Sequence, residues 1–224
     1  MEDNLPQIEA TYIDHMGSDL SVVNAARVSF GKQSHWHDHD IETDQYVLKN
    51  TDRKLVHYLA SHKHTSPFGH CFASFHIKAP LFVHAQCLKH KFLRSNTVSR
   101  RYVDAKPEFY EPTEWRGRSA DKKQGSEGSV ELSVFRSNCL KSATGSALKV
   151  YEELLADGVS PEMARMVLPT SMYTEWHMSG SMDAWAALCV LRLAEDTQYE
   201  TRLVAQQISA KMAELFPVSW AALV

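Results

Sequence analysis

The chain runs to 224 residues with a formal net charge of -3, and 44% of it is hydrophobic and 23% charged. That is long enough for one domain with a sizeable core. It is too weakly charged for wholesale nucleic-acid binding, which shows as a strongly basic domain.

No apolar run approaches a membrane span, and the acidic opening Met1-Glu-Asp-Asn-Leu-Pro lacks the apolar stretch of a signal peptide. Cys71, Cys87, Cys139 and Cys189 stand apart with no CxxC pair. This argues against a zinc ribbon or a disulfide framework and fits a reducing cytosol.

Residues 7–14 alternate like an opening strand. Ser18 or Asp19 is placed to cap a short helix through Leu20, Val23 and Ala26, ending near Arg27-Val28-Ser29. The polar stretch 31–45 reads as a loop. Within it, His35-Trp-His37-Asp38-His39-Asp40 sets alternate histidines on one side of an extended segment, a donor set that suits zinc or iron. No HExxH spacing supports a metal, and a solvated loop explains the same residues. A capped amphipathic helix is expected from Thr51, with Leu55, Tyr58 and Leu59 on its apolar face. It stops at His62-Lys-His64-Thr65-Ser66-Pro67-Phe68-Gly69-His70, where Pro67 and Gly69 predict a turn. Such a turn presents His64 and Ser66 to a ligand, or is a plain connector with exposed histidines. Residues 71–79 alternate as a strand with Cys71, Ala73, Phe75, Ile77 and Ala79 on one face.

Pro80 suits the first turn of a following helix, with Leu81, Ala85, Leu88 and Phe92 along one side and Gln86, Lys89 and His90 sharing another. From there to Tyr102 the chain gathers Lys89, Lys91, Arg94, Arg100 and Arg101 with no carboxylate between them. A cluster holding His90, Ser99 and Asn96 among such cations suits a phosphate-bearing ligand, and charge alone also allows a solvated basic face. Cations near a helix C-terminus account for the two lysines but not for the arginines farther along.

The stretch 104–129 is rich in Pro, Gly and charge and is expected to be a mobile surface loop. A long helix is expected over 130–157, stopped by Gly158, then a short one opened by Ser160-Pro161-Glu162 and closed at Leu168-Pro169. A strand-like Met172–Met178 leads to Gly180-Ser181, which opens a helix carrying Trp185, Leu188, Leu191 and, near its end, Arg192. A last helix runs from about Gln198 to Phe216. With no internal repeat and no second domain in view, the pattern reads as one α+β (mixed α/β) domain over 1–224.

Several motifs in this order resemble the flavin-dependent thymidylate synthases almost end to end. The family's Arg-His-Arg, seven residues, Ser signature is met by Lys89-His90-Lys91 and Ser99, followed by Arg101-Tyr102. Ala26-Arg27-Val28-Ser29, the His64-Thr-Ser-Pro-Phe turn and Phe75-His-Ile-Lys-Ala-Pro with Gln86 are also similar to the family. So are Glu162-Met-Ala-Arg165-Met-Val-Leu-Pro169 and Arg192, which stands six residues before Gln198-Tyr-Glu200.

The resemblance implies an antiparallel-rich central sheet flanked by long helices. It implies an enzyme making dTMP from dUMP with 5,10-methylenetetrahydrofolate as carbon donor, and with NADPH acting through FAD as hydride source. It further implies a cytoplasmic homotetramer with shared active sites, whether the cytosol is bacterial or that of a virus's host.

By position, Gln86, Lys89, Ser99, Arg100, Arg101 and Arg165 would hold dUMP. Arg192 would be the catalytic residue, lying against the uracil and favouring loss of its N3 proton. FAD would meet His64, Ser66, Lys89, His90, Lys91, Thr97, Ser181, Asp183 and Ala187. Ser99 has no evident base beside it, so a positioning role fits it better than a nucleophilic one. No metal is implied.

Four departures stand out: lysines for the two signature arginines, Thr97 and Gly69 where glutamates are usual, and Ala187 for an asparagine. The lysines keep charge and lose the bidentate fork. These changes leave open a related flavin-dependent pyrimidine-nucleotide modification such as hydroxymethylation. A metal-dependent hydrolase built on the histidines and a non-catalytic nucleic-acid-binding module are the readings from other classes. None of the cysteines lies in the Pro-Cys-His setting of the cysteine-nucleophile thymidylate synthases.

Overall fold

The computed structural model of the chain describes residues 7–40, 45–103, 105–120 and 125–224. Its centre is an antiparallel sheet of β1 (Glu9–Met16), β4 (Phe72–Pro80), β8 (Tyr173–Ser181) and β5 (Leu93–Thr97), in the spatial order β1-β4-β8-β5. The inward side of β4 is the alternating set expected from sequence, and Cys71, Ala73, Phe75, Ile77 and Ala79 have no exposed surface. Period-two alternation delivers that whole set to one face, so the register is strongly specified.

Helices α1 (Asp19–Arg27), α2 (Asn50–Ser61), α6 (Met182–Arg192), α7 (Tyr199–Leu215) and α8 (Pro217–Leu223) supply the rest of the core. Trp185 of α6 meets Phe75 edge-on at 5.1 Å, and its indole N–H donates to the Ala73 carbonyl at 3.0 Å. That bond satisfies the one polar atom of a fully buried ring. Asp19 is buried and accepts from the backbone N–H groups of Val218 and Ser219 at 2.9 and 2.8 Å, capping α8. The mixed architecture with an antiparallel sheet matches the fold class expected from sequence.

Several local expectations need correction. The 31–45 stretch contains β2 (Asp38–Asp40), which pairs antiparallel with β3 (Gln45–Val47). The helix after Pro80 is only α3 (Leu81–Cys87), so Lys89 and His90 lie past its end, while Leu88 and Phe92 are exposed. Phe92 takes a left-handed backbone, φ 65, and turns the chain into β5. The 104–129 stretch holds β6 (Trp115–Arg118) paired with β7 (Ser126–Val130), with residues 104 and 121–124 outside the described residues. Tyr58 is exposed on α2, and Val56 takes its place in the core. The long helix begins later, as α4 (Val134–Ala156), followed by the short α5 (Pro161–Ala164). The helix expected from about Gln198 to Phe216 is present as α7, and the short α8 that follows Phe216 is not expected from sequence.

Strand β8 is hydrogen-bonded on both sides, and Gly180 sits opposite Leu93. A Cβ at Gly180 would lie 2.4 Å from the Leu93 Cδ2 and 3.1 Å from the Phe92 carbonyl oxygen. Gly180→Ala is therefore expected to lower stability by about 1–3 kcal/mol through overpacking, measured by urea denaturation. An unchanged midpoint would mean that β5 can move away freely.

Candidate active site

Helix α6 carries the site because each of its ends meets a different motif. At the C-terminal end, the Arg192 guanidinium is fastened twice: Nε donates to His90 Nε2 at 2.9 Å and Nη2 donates to the Gln86 carbonyl at 3.0 Å. For His90 to accept at Nε2, that nitrogen must be unprotonated. Burial, reinforced by the adjoining Arg192 charge, pushes its pKa down to about 4. His90 is thus a neutral acceptor that aims a cation. The Gln86 side chain in turn donates to Gln198 Oε1 at 2.6 Å. Gln86, Lys89, Arg192, Thr197 and Gln198 line a cavity of about 390 Å³.

A second, separate cavity of about 780 Å³ gathers Thr97, Ser99, Arg100, Arg101 and Arg165. Ser99 Oγ accepts from the Arg101 backbone N–H at 3.3 Å and from its Nε at 3.2 Å. This turns the serine into a splint for the arginine. Arg101 also lies over the Tyr102 ring at 5.0 Å, and Arg165 Nε donates to the Glu162 carbonyl at 3.2 Å. Arg100 donates to the Ala105 carbonyl.

At the N-terminal end of α6, Ser181 donates to Asp183 Oδ1 at 2.5 Å. The Ser66–His70 turn adjoins it, since the Met182 N–H donates to the Cys71 carbonyl at 2.8 Å. A Cβ at Gly69 would stand 3.9 Å from Asp183 Oδ1. A glutamate there would bring a second carboxylate against Asp183, so the glycine and the aspartate are compatible with each other. Ala187 is exposed one turn farther along α6. His64 and Ser66 line a third cavity, of about 840 Å³, with Arg27, Phe30 and Tyr58. Arg27 is held there by the buried Asp52 carboxylate, whose other oxygen accepts from Ser34 Oγ at 2.5 Å.

The structure therefore brings Gln86, Lys89, His90 and Arg192 together, and separately Thr97, Ser99, Arg100, Arg101 and Arg165. His64 and Ser66 stand apart from both groups. Lys91 is exposed just ahead of β5, whose first residue pairs with Gly180 beside Ser181.

Sequence reasoning assigned no role to Gln198, or to the brace behind it. Glu200 is buried, and its Oε1 accepts from Arg116 Nη2 at 2.5 Å and from Tyr110 OH at 2.9 Å. Burial alone would raise its pKa, but these bonds overcome it and hold the carboxyl below its usual value. The Gln198-Tyr-Glu200 motif was the only signal for these residues, and partners 84 and 90 positions away left none. His39 lies tilted against Tyr46 at 4.5 Å between centroids, and among the described residues no group of three or more His, Cys, Asp or Glu could hold a metal ion.

Comparison with known proteins points one way. The family model described as Thymidylate synthase complementing protein matches residues 11–218. A flavin-dependent thymidylate synthase of Thermus thermophilus is 38% identical over 210 residues, covering 94% of this chain and 73% of the relative. That of Thermosipho africanus is 35% identical over 206 residues, covering 91% and 83%. Among solved structures, the UMP/dUMP methylase PolB of Streptomyces cacaoi, bound with 5-Br dUMP, superposes with a TM-score of 0.79 at 27% identity. That match covers 97% of this chain and 95% of the other.

The tether on Arg192 has a titration signature. In Arg192→Ala, the His90 pKa should climb from about 4 part of the way toward 6.5, because the opposing cation is gone while burial remains. Histidine resonances followed by NMR against pH would show it, and an unmoved value would separate the two residues. In the wild type the folded ring binds its proton more weakly than the unfolded one. Its contribution to stability is therefore complete above about 6.5 and falls as pH drops from there through about 4.

Proposed function

The chain belongs to the thymidylate synthase complementing proteins, the flavin-dependent thymidylate synthase family, and from that premise we propose that it methylates dUMP at C5 to give dTMP. The observation that carries the reading is Arg192, fixed by His90 and the Gln86 carbonyl beside a cavity. Among the described residues its Nη1 has no protein partner, so one face of the guanidinium is left for a ligand. Set against a uracil ring, that cation favours the charge that develops on N3 and the adjoining carbonyl oxygens as C5 becomes nucleophilic. Arg101, splinted by Ser99, and Arg165 supply fixed donors for the nucleotide phosphate. Lys89 offers a point charge rather than a fork.

The finer assignments are that FAD is the flavin, NADPH its reductant and 5,10-methylenetetrahydrofolate the carbon donor. The donor chemistry suits a pyrophosphate-bearing flavin only in part. Lys89 and Lys91 are exposed cations, and Ser66 and Ser181 offer hydroxyls. His90 bonds Arg192 and Thr97 bonds a histidine on α3, so each would meet a ligand with one partner already engaged. When bound, the flavin supplies the hydride that completes the methyl group. Purified protein with these four components should yield a product heavier than dUMP by one CH₂. A product carrying an extra oxygen would instead support hydroxymethylation, and no product at all would sink the reading. Arg192→Ala should cut turnover by at least about a hundredfold while flavin absorbance of the purified protein is retained. Since the structural relative PolB is a UMP/dUMP methylase, UMP is the second nucleotide to assay.

The working enzyme is a cytosolic homotetramer with active sites shared between subunits. Location and subunit number are what the family resemblance implies, and two features suit a site shared between copies. The Arg192 cavity and the Arg165 cavity have no lining residue in common. Helix α4 buries only Tyr151 and leaves Phe135 76% exposed, a face that suits a second copy. If one site takes Arg192 and Arg165 from different subunits, mixing inactive Arg192→Ala and Arg165→Ala chains should restore activity. Random assembly returns about a quarter of the wild-type sites. Mixed tetramers with no recovery would place both arginines in one chain's site.

A further inference from the structure

His84 has no part in the roles above. It lies on α3 with 9% of its surface exposed, its ring tilted against Trp176 at 4.6 Å between centroids, and its Nε2 is 3.0 Å from Thr97 Oγ1. Burial lowers its pKa from the usual 6.5, which favours the neutral ring. Both residues line the same cavity as Ser99, Arg101 and Arg165. A threonine hydroxyl on a strand can rotate among several partners. Here it is drawn to a ring that is packed against Trp176.

We infer that His84 is a positioning residue that fixes the Thr97 hydroxyl toward the sugar–phosphate end of the nucleotide, where the family pattern has a carboxylate. The inference rests on the reading that this cavity takes dUMP. A carboxylate beside a phosphate brings like-charge repulsion and can only accept hydrogen bonds. A hydroxyl brings no charge. With the ring proton on Nε2, His84 donates to Thr97 Oγ1 and leaves the hydroxyl hydrogen free to donate to a phosphate oxygen. With the other tautomer the hydroxyl can only accept, from a sugar hydroxyl. Such a hydroxyl is effective only if its direction is fixed in advance, and that is what a buried, neutral, packed imidazole provides. His84 acts through Thr97 and does not itself touch the ligand.

A double-mutant cycle on the full-length enzyme tests this. Thr97→Val removes the hydroxyl at nearly constant shape, and His84→Phe keeps the ring against Trp176 while removing the nitrogen. Each is expected to raise the KM for dUMP about five- to tenfold, the loss of one hydrogen bond, with the effect falling on KM rather than kcat. The double variant should be no worse than either single one, and Thr97→Ser should restore the wild-type KM. Multiplying losses in the double variant, or an unchanged KM in His84→Phe, would overturn the inference. If His84→Phe does not fold, His84→Gln is read in the same cycle. Binding of dUMP by calorimetry separates the two levels. A wild-type chain that neither binds nor methylates dUMP removes the functional reading and this inference together. A wild-type chain that does both, beside a Thr97→Val variant that binds dUMP equally well, removes only the role of His84.

Discussion

The geometry of the candidate site depends on β8 being shared by two strands. Antiparallel pairing with β4 fixes Phe72 opposite Ser181 and Pro80 opposite Tyr173. Pairing with β5 fixes Leu93 opposite Gly180 and Thr97 opposite Trp176. One strand thereby sets the position of four functional segments. The Ser66–His70 turn precedes β4 and α3 follows it, while Lys89–Lys91 precede β5 and Ser99–Arg101 follow it. The strand then runs directly into α6, delivering Ser181 and Asp183 at one end of the helix and Arg192 at the other. The close approach at Gly180 is what this arrangement demands, since any side chain there would push the basic segment away from α6.

Charge is distributed so that the cations remain available. The buried acids are already committed: Asp52 to Arg27 and Ser34, Glu200 to Arg116 and Tyr110, and Asp19 to the backbone of α8. Each commitment also ties distant segments together, because an unpaired buried carboxylate would be costly. Lys89, Arg101 and Arg165 have no such carboxylate bound to them among the described residues, and the contacts of the two arginines run to carbonyl, hydroxyl or ring partners. Arg192 follows the same rule with a neutral histidine, which holds the guanidinium without cancelling its charge. A carboxylate in the place of His90 would orient Arg192 equally well and would weaken its pull on an anionic ligand.

What sequence could and could not reveal follows from range. The inward face of β4 was legible because alternation is a local property, and the caps at Ser18 and Ser160 were legible for the same reason. Strand β5 was not, because Leu93–Thr97 is short, mostly polar, and stabilised by pairing with a strand about 80 residues away. The basic residues hid it, since a charge cluster reads as surface. Helix α3 was read too long because Leu88 and Phe92 continue its apolar spacing. The left-handed turn at Phe92 belongs to tertiary structure and has no glycine to announce it. In the same way the ordered motifs located Gln86, Ser99, Arg165 and Arg192 by number. That His90 bonds Arg192, and Thr97 bonds His84, needed coordinates.

The departures from the family signature become intelligible in this frame. With lysine at 89 and 91 the chain keeps two positive charges and gives up two rigid forks, so on the proposed reading fork-like anion recognition would rest with Arg101 and Arg165. Both of those are held from behind, by Ser99 and by the Glu162 carbonyl, which would lower the entropy lost if a phosphate is bound there. The two missing glutamates act in the same direction. At position 69 the glycine spares Asp183 a second carboxylate, and at position 97 the threonine removes a negative charge from a cavity lined by three arginines. Lost fork geometry weakens the grip on an anion, while lost carboxylates lessen the repulsion it meets. The two kinds of change therefore offset one another in electrostatic terms, and on the proposed reading they would leave the nucleotide to a few braced groups.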